Sequence, residues 1–529
     1  MTFWAKSVRI FKCLCDHGTL SIRQLAQRTD VAKSSVHRLK QAMERRDIHP
    51  ESWVWETEVG HQWLLRLIVA TLYTFGLKRG VGLDTMSEFF TRLRLARQVG
   101  CSPSALRQVM QVLETALLET AGRWEKDGVA AGEVREIIGA VDETFLEQMI
   151  LVFQDVRTGY IVQEEVADDR TYTTWKAVVE ARLTALGAEV WYLVSDRAKA
   201  LIQLAEQGLE CLSMPDFFHC MHDLVKSYAL TIGQRVRQAQ HELTKAQETL
   251  ARRHAPHSLD GSEREARAIV EARQGEVTRW EEVRTAYRDH WATLSLTLPP
   301  FRIADSAPQT SAQVASQLQA TLEAITALAQ RQQLPARYDA MTKVRKQVPA
   351  LAALVDLWWQ GVHQDVEPFV LSPRWRQWVD ECLLPMVYWG HQVTRTRCRR
   401  RKATMQAAWA APRAAFDQHA ITQRLTPDVL AEWQAWALQR TKAFQRTSSA
   451  VEGRNGYLSQ MHHNQRGLPR RRYKVWTIVH NFDCRAADGT TPASRFFQRT
   501  FPDLFEAVLS QIEDLPQPRR RKHQVALTH

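Results

Sequence analysis

The 529-residue sequence has little cysteine, no long apolar run and no excess of acidic residues. None of its eight cysteines forms a CxxC pair, so neither a disulfide framework nor a zinc ribbon is expected. The longest nearly uncharged apolar run, residues 67–77, is too short to cross a bilayer, and the first residues lack the pattern of a signal peptide. We therefore expect a reduced protein without membrane contact, in the cytoplasm and associated with the nucleoid.

Basic residues are in excess. The chain has 70 Lys and Arg against 58 Asp and Glu, a formal net charge of +12 and a pI near 9.4. Neutralising phosphates with Lys and Arg releases the counterions condensed on nucleic acid, so this balance favours a polyanionic partner. The charge alone does not choose between DNA, RNA and an anionic membrane surface.

A helix-turn-helix pattern occupies residues 19–46, within an expected DNA-binding domain at 1–50. The apolar residues are spaced as in two short helices joined near residues 29–31; they are Ile22, Leu25, Ala26, Val31, Val36 and Leu39. The second helix would expose side chains able to contact phosphates and base edges in a major groove of double-stranded DNA. A plain helical hairpin with a solvated basic face is the alternative. The predicted DNA contacts are Lys33, Ser35, His37 and Arg38.

The helical pattern continues through residues 51–130. The segment after Ser102-Pro103-Ser104 suits a second helix-turn-helix and a three-helix core equally well. Within residues 131–231 the period changes: strands are predicted at 137–141, on both sides of a turn at 157–159, and at 190–194. Three strands, a helix, a fourth strand and a helix is the order of a ribonuclease H-like fold.

Helices again fill residues 232–440, beginning with two long charged helices that predict an antiparallel hairpin. Tryptophans in this segment are expected mainly in helix cores, with stacking on DNA bases as the alternative. A basic run without an intervening acid predicts a surface that contacts phosphates. Residues 441–510 are expected to form the last part of the core that contains the strands, and residues 511–529 are expected to form a basic tail. The DNA-contacting residues predicted in the run are Arg399, Arg400 and Arg401.

Three acids carry the predicted chemistry. Asp142 and Asp196 each follow an apolar strand of one inferred parallel sheet, so neighbouring strand ends would bring both carboxylates into one cleft. Glu452 lies among small residues on one face of a predicted helix, with room for a metal and DNA. Phosphodiester cleavage by two metals needs carboxylates from different elements that hold the ions about 4 Å apart. Strand alternation points Glu143 away from Asp142.

These segments resemble the DDE transposases of insertion sequences. The resemblance rests on VDET at 141–144, VSDRAKAL at 194–201 and SSAVEGRNGYLS at 448–459, supported by HNFDCRAADGTTPASRFF at 480–497. It covers about residues 133–228 and 440–500 directly. It implies an α+β, predominantly helical fold: a helix-turn-helix region, then a ribonuclease H-like α/β core interrupted by a large all-helical insertion.

The same resemblance implies that Asp142, Asp196 and Glu452 are the catalytic acids and bind two Mg²⁺ or Mn²⁺ ions. Arg454 and Asn455 would contact DNA near the cleaved phosphate, with plain helix-surface polarity as the alternative. A transposase would act on element ends and target DNA as a homodimer or larger assembly. A DNA-binding regulator derived from a transposase, without catalysis, is the alternative function. A structural coiled-coil protein would not explain the strands or the acids.

Overall fold

The structure is a computed structural model, and it describes residues 3–46, 54–129, 134–224, 228–253, 260–335, 338–464 and 469–518. Most of the expected basic tail, from residue 519 onward, lies outside these residues, as do the expected boundaries at 50 and 131. The described chain is mostly helical with one small mixed sheet, as predicted. Among its helices, none combines the length and apolar character that would span a bilayer. It divides into two compact units: unit 1 comprises Met1–Arg135, Glu143–Glu189 and Ala450–His529, and unit 2 comprises Glu136–Asp142 and Val190–Ser449.

Three helices form the N-terminal part of unit 1: α1 (Phe3–His17), α2 (Ile22–Thr29) and α3 (Lys33–Arg46). Ser21 starts α2 with a reciprocal capping box to Gln24, which satisfies backbone donors that the first turn leaves open. Asp30 ends α2 in the left-handed conformation and turns the chain into α3. The predicted helix-turn-helix is thus present, with α1 as an additional helix. Its buried core consists of Ile10, Leu25, Val31, Val36, Leu39 and Met43.

Helices also make up the next part of unit 1. They are α4 (Glu58–Thr71), α5 (Leu83–Arg92) and α6 (Pro103–Gly128). Ser102 caps α6 by accepting a hydrogen bond from the Ala105 amide, and Pro103 follows at a position where no amide donor is needed. The predicted helix start at residues 102–104 is therefore correct.

The sheet has five strands, β1 (Arg135–Phe145), β2 (Met149–Asp155), β3 (Ile161–Ala167), β4 (Ala188–Ser195) and β5 (Leu212–Pro215), in the order β3-β2-β1-β4-β5. In unit 1, β2 and β3 pair antiparallel, with Met149 opposite Ala167. In unit 2, β4 and β5 run parallel, with Ser195 opposite Pro215. The buried stretch 137–141 of β1 has no polar residue, which is typical of a strand covered on both faces.

Helices of unit 1 cover the β3 edge. The Asn481 side chain bonds both backbone groups of Ile161: it accepts from the amide at 2.8 Å and donates to the carbonyl at 2.9 Å. These bonds satisfy a backbone N–H and a backbone C=O that an edge strand would otherwise leave without hydrogen-bond partners. The remaining helices of unit 1 are α7 (Tyr172–Leu186), α19 (Ser449–Asn464, with its first residue in unit 2), α20 (Arg470–Asp483), α21 (Pro492–Phe496) and α22 (Leu504–Leu509).

Unit 2 adds helices to β4 and β5. Two of them, α10 (Leu230–Arg253) and α11 (Asp260–Thr297), form a long antiparallel pair whose facing sides bury apolar residues such as Val236 and Val283. The helices are α8 (Lys199–Gln203), α9 (Phe217–Leu224), α10 (Leu230–Arg253), α11 (Asp260–Thr297), α12 (Ser311–Arg331), α13 (Tyr338–Val366), α14 (Pro373–Trp378), α15 (Leu384–Arg395), α16 (Arg399–Gln418), α17 (Ala420–Arg424) and α18 (Pro427–Ala443).

Candidate functional site

The second helix of the helix-turn-helix presents a polar surface. Val36 and Leu39 of α3 are fully buried against the core, which directs the opposite side of the helix to solvent. Lys33, His37 and Arg38 are exposed on that side, and Ser35 is half-buried. Three of the four predicted contact residues are therefore exposed, as a helix that enters a DNA groove requires.

Asp142 and Asp196 lie on neighbouring strands of the sheet. Asp142 is half-buried and follows the apolar stretch of β1, and Asp196 is exposed directly after β4. The Ala198 amide donates to one carboxylate oxygen of Asp196 at 2.8 Å, while Arg197 adopts a left-handed conformation. This turn fixes the Asp196 carboxylate through one oxygen at the end of the strand.

Other acids near these strands serve the fold. Glu143 of unit 1 accepts a 3.4 Å hydrogen bond from the Trp175 indole and lies 3.8 Å from Arg170. Asp155 is buried and accepts from the amide and hydroxyl of Thr158, which closes the turn between β2 and β3. Two acids lie on the surface before α7: Asp168, 3.6 Å from Arg470, and Asp169, whose pKa is lowered by the hydroxyls of Thr174 and Thr171.

Asp216, which follows β5, was missed by the sequence reasoning. Its carboxylate is fully buried and accepts from the Phe218 amide at 2.8 Å, from His219 Nδ1 at 2.8 Å and from the Ser448 hydroxyl at 2.5 Å. Its own amide donates to the Ser195 carbonyl at 2.7 Å. The signal in the sequence is a short apolar run that ends in aspartate, like those before Asp142 and Asp196. The next residues lie in α9, where Cys220 and Met221 are buried.

Glu452 is half-buried in the first turn of α19. The buried face of this helix consists of Val451, Arg454, Leu458 and Met461. The expected contact between Arg454 and DNA is therefore wrong. The Arg454 side chain is 4% exposed, and it donates hydrogen bonds to both carboxylate oxygens of Glu164 at 2.6 and 2.7 Å. A guanidinium held this way has no surface to offer to DNA. Asn455, the other predicted contact on α19, is half-buried.

The basic run starts α16. Arg399 and Arg400 are exposed and Arg401 is half-buried. Arg400 forms a 2.7 Å ion pair with Asp289 of α11, which leaves the run anchored on that helix. Cys398 precedes the run, and hydrogen bonds from Arg401 lower the pKa of its exposed thiol.

Carboxylate oxygens are the hard donors that Mg²⁺ and Mn²⁺ prefer, and Asp142 and Asp196 supply them on adjacent strands. Asp216 is less suitable, since its two oxygens already accept three protein hydrogen bonds. Within the described residues, no group of three or more His, Cys, Asp or Glu is placed to hold a metal ion. The geometry of unit 2 therefore provides two candidate ligands, and a third would have to come from another acid.

Comparison with known proteins identifies two regions of the chain. The IclR helix-turn-helix domain matches residues 5–48, which include α1, α2 and α3. The chain therefore has an N-terminal helix-turn-helix DNA-binding domain. A family of unknown function (DUF6399) matches residues 379–524, a range that begins in unit 2 and extends beyond the last described residue, 518. No curated protein matches the sequence.

Proposed function

We propose that the protein is a DDE-type transposase, which binds element ends and catalyses metal-dependent cleavage and strand transfer of double-stranded DNA. The observation that carries the proposal is the combination of the strand order β3-β2-β1-β4-β5 with aspartates in β1 and after β4. The proposal is also supported by the succession of elements along the chain, three strands, a helix, a fourth strand and a helix, which is the one expected of a ribonuclease H-like fold. The helix-turn-helix domain supports DNA as the partner.

Each part of the chain has a separate task in this proposal. Lys33, His37 and Arg38 would position the protein on an element end through phosphates and base edges. Asp142, Asp196 and Glu452 would hold Mg²⁺ or Mn²⁺, which when bound activates water and stabilises the leaving oxygen. Asp196 is prepared for this role, because the Ala198 amide orients its carboxylate before any ligand arrives.

Substitution of the three acids tests the nuclease. The substrate is a plasmid that carries the DNA flanking the gene, with magnesium present. Asp142→Asn, Asp196→Asn and Glu452→Gln should each abolish cleavage with little change in DNA affinity, because each removes a metal ligand and almost no volume. Glu143→Gln is the matched control and should cleave, since this acid faces Trp175. Normal cleavage by one of the three variants would remove that residue from the site.

Metal binding gives a second readout that is independent of activity. The electron paramagnetic resonance signal of free Mn²⁺ should fall when wild-type protein is added and should fall less with Asp142→Asn or Asp196→Asn. Cleavage should stop in excess chelator and return with magnesium. Full cleavage in chelator would refute the metal mechanism.

A DNA-binding regulator without catalysis is the second candidate. Two observations favour it: the helix-turn-helix match, and the lack of a metal-holding group of three or more residues in the described chain. Specific binding to the flanking DNA, with neither cleavage nor Mn²⁺ binding, would select this function.

A further inference from the structure

An arginine-rimmed pocket lies between α10 and α11 of unit 2. Its volume is about 450 Å³. Ile232, Val236 and Tyr287 are buried and form its apolar floor. The rim carries three guanidinium groups, from Arg237 on α10 and from Arg284 and Arg288 on α11. We call this site the arginine pocket.

Positive charge in the arginine pocket is only partly compensated. Arg284 lies 3.4 Å from Glu281, whereas Arg237 and Arg288 form no ion pair with any residue that the structure describes. Both are exposed, and no acid lines the pocket. Two unpaired guanidiniums above an apolar floor favour an anion, because each is a planar fork that matches phosphate oxygens.

Trp291 completes the pocket with a hydrogen-bond donor. Its indole Nε1 is buried and has no acceptor among the described residues. A buried donor without an acceptor is destabilising, so a ligand oxygen that reached Nε1 would remove this cost. Arg284, Arg288 and Trp291 are spaced by four and three residues, which places them along one face of α11.

Trp291 also contacts the basic run at the start of α16. The Arg401 guanidinium lies 5.5 Å from the centroid of the Trp291 ring. Arg400, its neighbour, is paired with Asp289, the residue that follows Arg288. The guanidiniums therefore continue from the pocket onto α16. A small anion would need only the pocket, whereas an extended row of guanidiniums suits a polymer of phosphates.

We propose that the arginine pocket and the start of α16 form one binding track for the backbone of duplex DNA, with a phosphate held between Arg237, Arg288 and Trp291. The inference rests on the proposed function in taking DNA as the substrate, but it does not require catalysis. It gives the helical part of unit 2 a role in holding DNA that is separate from the helix-turn-helix.

Salt-dependent DNA binding by the full-length protein tests the track. The affinity for a fluorescent 30-base-pair duplex is measured between 50 and 300 mM KCl for wild type and for Arg237→Ala/Arg288→Ala. Loss of two phosphate contacts should reduce the slope of log K against log salt by about 1.8. Arg252→Ala/Arg273→Ala is the matched control: it removes two exposed arginines from the same helices, each 15 residues away from the pocket arginines, and should leave the slope unchanged.

A conservative variant tests the indole. Trp291→Phe keeps an aromatic ring beside Arg401 and removes only the N–H, so affinity should fall by about threefold without a change in slope. If the salt slope falls equally in the pocket double variant and the control double variant, or falls in neither, the proposed DNA-binding track is refuted. Orthophosphate binding, measured by calorimetry, that disappears in the pocket pair while the DNA slope is unchanged would also overturn it in favour of a small-anion site. A reduced slope in the pocket pair, with no cleavage by wild type, would support the track and refute only the nuclease.

Discussion

Replacing Arg454 by alanine should destabilise unit 1 strongly, because it leaves a buried carboxylate without its cation. Glu164 on β3 has a fully buried side chain and accepts two bonds from Arg454. The Thr477 hydroxyl of α20 also donates to Glu164, so this ion pair ties together α19, β3 and α20. Among the described residues, the threonine hydroxyl is the one side-chain donor to Glu164 that would remain in the variant.

Removing one partner of a buried ion pair costs about 3–5 kcal/mol. The threonine hydroxyl compensates part of this loss, which places Arg454→Ala near the lower end of the range. At about 2–4 °C per kcal/mol for a unit of this size, the melting temperature of unit 1 should fall by about 10 °C. Replacing both partners, as Arg454→Met/Glu164→Leu, removes the uncompensated charge and should cost less than the single change.

Thermal unfolding and hydrogen exchange of the full-length protein measure this effect. Peptides from α19, β3 and α20 should exchange faster in Arg454→Ala, whereas peptides from α12 and α13 in unit 2 should not change. The control is Arg470→Ala, which removes an exposed arginine 3.6 Å from Asp168 and should cost less than about 1 kcal/mol. If Arg454→Ala melts within about 1 °C of wild type but loses one phosphate contact in the salt slope, the expected DNA contact is restored and the structural role is refuted.

Two further predictions concern unit 1. Burial, with the charge of Arg454 adding to it, lowers the pKa of His480 to about 4. The folded state therefore favours neutral His480: its contribution is complete above about pH 6.5 and should be lost, up to about 3 kcal/mol, as the pH falls to about 4. His480→Gln should flatten this part of a stability profile, and an unchanged profile would assign the pH dependence to other groups. Lys33→Ala/Arg38→Ala should reduce the preference for the flanking DNA over random DNA, by about tenfold or more if one contact is to a base. An undiminished preference in a competition binding assay would place sequence recognition outside α3.

Helices and strands that depend on the local spacing of apolar residues could be predicted from the sequence. Leu25, Val36 and Leu39 recur at helical spacing, and the structure confirms them as core residues of the helix-turn-helix. The strands on both sides of the turn near Gly159 followed from apolar runs and turn chemistry in the same way. Helix α1 was not predicted, although its Ile10 is part of the same core.

Pairing between distant residues could not be predicted in this way. Arg454 and Glu164 are 290 positions apart, and neither is marked by its neighbours as buried. On the sequence, Arg454 stands beside Glu452 and Asn455 and looks like part of a polar face. Its spacing of three residues from Val451 and four from Leu458 puts it on the same helix face as both, but only the tertiary structure shows that Glu164 of β3 lies there to pair with it. The ribonuclease H-like identity of the core and the role of the acidic triad remain predictions.

Asp216 illustrates how a carboxylate at the end of a strand can serve the fold. After β5 the chain passes through the helices of unit 2, and on its return the Phe217 amide donates to the Arg446 carbonyl at 3.0 Å and the Ser448 hydroxyl donates to Asp216 at 2.5 Å. Loop-closure entropy rises only with the logarithm of loop length, and a folded segment whose ends meet costs less still. These two contacts supply that meeting point, and the second of them uses the Asp216 carboxylate. Recruiting Asp216 to a metal would break the bond that fixes Ser448, so the proposed nuclease needs its third acid from elsewhere, as the assignment of Glu452 supposes.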